Sequence, residues 1–140
     1  MYTYENTGAP GNCQNPDNPF TLTIFRSPDA TAPADYPLCD EGNDDTEDYT
    51  RSTRRAEILG TLDPLDHTVV FYETQADADA GGVSTITNDT AYPFVPDFPL
   101  TTPPSQVVFA RVTEQTTGIF CYDVVPITLI LHPDPVASDD

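Results

Sequence analysis

Between Asp40 and Asp48 the chain reads "DEGNDDTED", and six of those residues, Asp40, Asn43, Asp44, Asp45, Glu47 and Asp48, carry hard oxygen donors. Oxygen donors gathered in nine residues suit Ca²⁺. The spacing lacks the closing glutamate of an EF-hand, so a solvated acidic loop is the competing reading. Without a cation the carboxylates repel one another by ~1 kcal/mol per close pair in water. The three cysteines, Cys13, Cys39 and Cys121, show no C-x-x-C spacing, and His67 and His132 stand alone. That pattern does not make a zinc site; it reads as disulfide chemistry in an oxidising compartment, against the alternative of buried free thiols. "NDT" at 88–90 is an Asn-x-Thr acceptor sequence, which places Asn88 in an exposed turn-rich stretch.

Other chemistries find little support. No Ser or Cys sits in an activating motif and no Gly-rich phosphate loop is present. Paired carboxylates abound, but nothing in the sequence sets two of them across a cleft. The expectation is a protein that is not an enzyme. Twenty-three acidic residues against five basic ones give a net charge of −18. Such a charge repels a phosphate backbone, which excludes nucleic acid as a partner, and it opposes docking on anionic lipid. No apolar run approaches the ~20 residues of a membrane span, so direct membrane insertion is not expected. No signal peptide is read, and with the cysteines this points to a piece of a longer secreted precursor.

The elements that hold these residues are strands. Gly and Pro total 22, Trp is absent and the apolar residues come in short bursts. Residues 2–5 and 19–26 read as a hairpin. Residues 27–37, "SPDATAPADYP", form an extended proline-containing connector. "STRRAEILG" predicts a short helix capped by Ser52 or Thr53 and closed by Gly60. "HTVVFYE" (67–73) is a strand with Val69 and Phe71 on one face and Val70 and Tyr72 on the other. "TQADADAGG" is a helical turn begun by Thr74 and stopped by Gly81. Residues 105–114 and 124–131 are the strongest strands. The count is about seven strands with short helical turns, an all-β, immunoglobulin-like β-sandwich.

The chain also echoes itself. "YTYENTGAPGNC" ends at Cys13 and "FARVTEQTTGIFC" at Cys121, 108 residues later; "FTLTIF" and "ITLILH" follow at a spacing of 107. A period of that size is about one sandwich domain. Three regions follow: 1–27, resembling the end of a preceding repeat; 28–37, a Pro-rich linker; and 38–135, a full repeat.

From Leu38 to Pro133 the pieces "LCDEGNDD", "AEILG", "VVFYETQADADAG", "VVFARV" and "TTGIFCY" occur in order. They resemble the tandem repeats of giant secreted surface proteins of Bacteroidetes, including the gliding-motility adhesin type exported as type IX secretion cargo. The resemblance implies an extracellular, cell-surface, structural or adhesive module whose partners are neighbouring copies of itself. It further implies a bond between Cys39 and Cys121, worth ~2–4 kcal/mol, with Cys13–Cys39, bridging adjacent units, as the rival. "DTA" at 89–91 resembles the O-glycosylation signal of that phylum, which marks Thr90. A different class of function is a glycan-binding module using Tyr92, Phe94 and Phe98 as a sugar platform.

Overall fold

The computed structural model describes residues 2–5, 21–42, 47–87, 92–93 and 105–135. Its centre is a curled sheet built around two long strands, β7 (Ser105–Glu114) and β8 (Tyr122–Pro133), which pair antiparallel from Ser105↔Ile130 to Thr113↔Tyr122. Strand β5 (His67–Tyr72) joins the outer side of β7, antiparallel, with Phe71 opposite Ala110. Strand β3 (Tyr36–Asp40) joins the other side of β8 and runs parallel to it, with Cys39 opposite His132. The sheet is therefore mixed, in the order β3-β8-β7-β5. A two-residue pair, β4 (Asp48–Tyr49) with β6 (Tyr92–Pro93), lies apart from it. A hairpin, β1 (Tyr2–Glu5) with β2 (Thr21–Ile24), forms its own two-stranded sheet, as the sequence predicts.

Period-two alternation decides which side chains are buried. Val69 and Phe71 of β5, Val108, Ala110 and Val112 of β7, and Val125, Ile127, Leu129 and Leu131 of β8 form one apolar face. The sandwich expectation needs a second sheet over that face, and the described residues do not supply one. A 3-10 turn (Arg51–Arg54) leads into helix α1 (Arg55–Leu59), and Ile58, Leu59 and Tyr49 belong to the same core. Over the described residues the fold is thus β-rich with short helices, and they form no immunoglobulin sandwich. A single helical turn suffices because the curled sheet already wraps part of its own face. On the other face sits α2 (Gln75–Ala80), where Tyr72 and Ala78 are buried outside the main core. Thr74 caps this helix by accepting from the Asp77 N–H, and Gly81 ends it with φ +63°.

Arginine fastens the layers. The Arg111 guanidinium donates to the carbonyls of Ala78 (2.7 Å) and Asp79 (2.9 Å) and stacks 3.5 Å from the Tyr122 ring centre. Arg51 is fully buried, donates to the Ile86 carbonyl at 2.8 Å and lies over the Phe71 ring. Arg54 pairs with Glu57 and covers Tyr36, while Arg55 donates to the Val69 carbonyl. Four of the five basic side chains in this acidic chain thus act as cross-braces. Each exploits the planar fork of guanidinium against carbonyls and rings.

The proline-rich connector is docked along the sheet. The Ala30 N–H donates to Asp123 Oδ2 (3.1 Å), and the Thr31 N–H donates to the Ile58 carbonyl (2.9 Å). From there the chain follows β8 into β3, so it passes Asp123 at one end of the sheet and reaches Asp40 beside Pro133 at the other. Gly60 permits this docking: its φ is +53°, and a Cβ there would lie 2.8 Å from Thr31 Oγ1. Gly60→Ala should therefore destabilise the fold by about 1–3 kcal/mol, since the backbone conformation is one side chains avoid. Denaturant titration checks this, and adding Thr31→Ala should recover the steric share only.

Candidate functional site

The cysteines are the residues whose placement carries information. Cys39 is exposed, Cys121 is half-buried, and both are free thiols. Cys39 lies opposite His132 of β8, and Cys121 immediately precedes the first residue of β8, eleven positions before His132. At ~3.3 Å per residue the two thiols are separated by roughly 30–36 Å. A disulfide needs Cα atoms within about 7 Å. The Cys39–Cys121 bond expected within one unit does not fit this geometry, because β8 is a rigid spacer between its partners. Cys13 lies outside the described residues.

Each cysteine occupies a distinct end. At the Cys121 end, the Glu114 N–H donates to the Cys121 carbonyl and closes the β7–β8 ladder. Beyond it the loop 115–120 is held by the Glu114 carboxylate, which accepts from the Thr116 and Thr117 N–H groups (2.6 and 2.9 Å) and from both threonine hydroxyls. Those hydroxyls, more than the amides, hold the Glu114 carboxyl down at about 2. Gly118 and Phe120 both adopt positive φ, +73° and +58°. For a bulky residue such as Phe120 that is a strained conformation, one kept where surroundings or function demand it. The neighbouring loop 60–66 is tied to this one through Gln115 N–H to the Asp66 carbonyl. Between the two loops the end exposes Leu65 (89%), Ile119 (52%) and Phe120 (52%). A groove of about 800 Å³ between α1 and β5, lined in part by Leu62, Pro64 and His67, opens beside the same loop.

The Cys39 end is acidic. Asp40 is buried at the end of β3, and the Glu41 N–H donates to Glu47 Oε1 at 2.6 Å. Asp48 is exposed at the start of β4. Asn43, Asp44 and Asp45 lie outside the described residues, and among the described residues no three metal-ligating side chains cluster. The glycosylation candidates Asn88 and Thr90, and Phe94 and Phe98 of the aromatic platform, also fall outside the described residues. Tyr92 is placed by its backbone, opposite Tyr49.

Sequence reasoning found the cysteines and missed their separation. The missing signal was β3. "YPLCD" hides as a strand because Pro37 lacks an N–H, yet at a sheet edge that lack is tolerated. Glu114 was missed as well, though "E-Q-T-T" three residues ahead of a cysteine hairpin is the pattern that allows a carboxylate to gather threonine donors.

Because the Glu114 carboxyl titrates near about 2 against an ordinary 4.5, its contribution to loop order is complete above pH 4.5 and is lost as pH falls through about 2. NMR titration of the Glu114 carboxyl should return that low value. Glu114→Ala, which removes the acceptor for four donors, should raise the rate of Cys121 alkylation several-fold and leave that of Cys39 unchanged.

Comparison with known proteins gives one family. A search of curated proteins finds no match, and a search of solved structures finds none. No helix among the described residues is long and apolar enough to cross a membrane. The model of the Flavobacterium inter-domain disulphide bond domain matches residues 35–135. That span runs from the start of β3 to the end of β8 and includes both Cys39 and Cys121, and by it the chain belongs to that family.

Proposed function

We propose that this chain is a non-catalytic structural unit of a larger extracellular surface protein or filament, covalently joined to like units through its cysteines. The observation that carries the reading is the placement of Cys39, on β3 beside the end of β8, and Cys121, just before the start of β8, out of reach of each other. The family's inter-domain disulphide supports it, since such a bond implies contact with adjacent domains. An oxidising, extracellular compartment is the setting in which the bond persists. An adhesive role belongs to the whole protein, to which this unit contributes length and strength.

The topology suits mechanical load. The connector runs in along β3 and the chain leaves along β8, with the two strands parallel and adjacent. Opposed pulling on connector and exit therefore shears the β3–β8 ladder, loading its hydrogen bonds together rather than one by one. The sequence echo of residues 1–27 with the β7–β8 region fits a series of such units. Ca²⁺ at the 40–48 loop would neutralise the acidic end at which the next unit sits.

Dilute oxidation of the chain tests the reading. It should give no Cys39–Cys121 peptide from monomer on non-reducing mapping; recovery of that peptide from monomer would refute it. The calcium element has its own check: millimolar Ca²⁺ should raise the melting temperature over that in EDTA, and identical curves would remove the ion from the account.

A further inference from the structure

Resting on the reading above, the geometry points to a fixed polarity for the staple: Cys121 bonds backwards, to the Cys39 equivalent of the preceding unit, and Cys39 bonds forwards, to the Cys121 equivalent of the following unit. Of three features, the chain path gives this direction, and the surface and the thiols fit it.

The first is the chain path. The connector enters the unit at Asp123, which holds the Ala30 N–H two residues past Cys121. The chain leaves at Pro133, opposite Asp40 and one position past the Cys39–His132 pair. Whatever precedes the unit is thus delivered to the Cys121 end, and whatever follows it is delivered to the Cys39 end. A preceding copy presents its own exit end, with its Cys39 equivalent, at this junction. Its Cys121 equivalent stays on the far side, a strand length of ~30 Å away.

The second feature is the surface. The Cys121 end exposes Leu65, Ile119 and Phe120 on a protein of net charge −18, and Phe120 keeps a strained backbone with φ +58°. Other exposed apolar side chains, such as Val83, are scattered, but these three sit on two loops joined by the Gln115 N–H to Asp66 carbonyl bond, and an apolar group on so acidic a molecule suits a contact face. The occupant is the exit end of a preceding copy of this domain, because the connector brings that copy there. The third feature is the accessibility of the thiols. Cys39 is exposed at an edge strand, and Cys121 is half-buried at the root of a loop pinned by Glu114. One thiol is presented and the other is seated in a contact face.

The chemistry is thiol–disulfide exchange with a small or protein disulfide as oxidant. One cysteine thiolate attacks the oxidant and releases one of its thiols. The partner thiolate then displaces the second, so two cysteine thiols become one disulfide and the oxidant leaves as two thiols. The consequence is that each unit is spanned by two covalent strands: β3, from connector to Cys39, and β8, from Cys121 to the exit.

The test uses two full-length variants, each with one cysteine. Cys13→Ser/Cys121→Ser retains Cys39, and Cys13→Ser/Cys39→Ser retains Cys121. They are mixed in equal amounts in a glutathione redox buffer and the dimers are resolved by mass. Random pairing gives mixed dimers equal to the two like dimers together. Pairing of Cys39 with Cys121, whichever unit comes first, predicts mixed dimers in excess by about tenfold, reduced to parity by Leu65→Ser/Phe120→Ser, exposed positions whose change leaves the core intact. Parity in the parent pair overturns the polarity and leaves the staple standing. An excess that survives Leu65→Ser/Phe120→Ser overturns the assigned contact face. A Cys13–Cys39 peptide as the main product of the wild-type chain overturns the direction. Absence of any disulfide dimer, with both thiols still reactive, overturns the polarity and the staple reading together.

Discussion

Strand β8 is the constraint on which the molecule depends. It runs twelve residues, supplies Val125, Ile127, Leu129 and Leu131 to the core, and is hydrogen-bonded to β7 along most of its length and to β3 over its last five residues. Its length sets the distance between the two cysteines. Its direction sets which end receives the connector and which releases the chain. Pro126, in mid-strand, is compatible with this because β3 covers β8 only from Leu129 onward. The Glu114 N–H to Cys121 carbonyl bond sets the antiparallel alternation, so Cys121, Asp123 and Val125 bond β7 and the nitrogen of Pro126 faces away from it, leaving no gap in that ladder.

Charge explains why a covalent joint is useful here. A unit of net charge −18 repels its neighbour, and salt screens that repulsion only beyond a Debye length of about 8 Å. Surfaces in contact are closer than that. The molecule commits most of its few cations internally, with Arg51, Arg54, Arg55 and Arg111 bound to carbonyls, rings and one glutamate. Few positive groups are left to attract another acidic unit. In the proposed joint, apolar contact at Leu65, Ile119 and Phe120 together with a disulfide would hold two such units against their repulsion without needing opposite charge.

Most local chemistry was legible, although Ser52 and Thr53 do not cap α1, which starts after Arg54 with a 3-10 turn before it and no side-chain cap. Thr74 and Gly81 bracket α2 as their types predict, Gly60 closes α1, and Val69 and Phe71 alternate against Val70 and Tyr72. Non-local choices were not legible. Nothing in "YPLCD" announces a parallel partner 93 residues later, and missing it turned two cysteines on opposite ends into an expected intradomain pair. The sandwich expectation failed for a related reason. Strand count and turn spacing do not reveal whether a second sheet or a single helical turn covers the apolar face, because both present the same apolar periodicity to the sheet.

The proposed staple, from Cys39 forwards to Cys121 of the next unit, fixes the path that mechanical load takes. Under tension the load passes along β3 or β8 and across the disulfides, and the residues between Cys39 and Cys121 stay off the covalent path. Single-molecule stretching of an oxidised series of units measures this. No release is expected of the roughly 80 residues, about 280 Å at ~3.5 Å each, that lie between the two cysteines, and unfolding steps should lengthen once the disulfides are reduced. Steps of about 280 Å per unit in the oxidised protein would contradict it, because they place the body of the domain on the load path and reverse the direction of the staple.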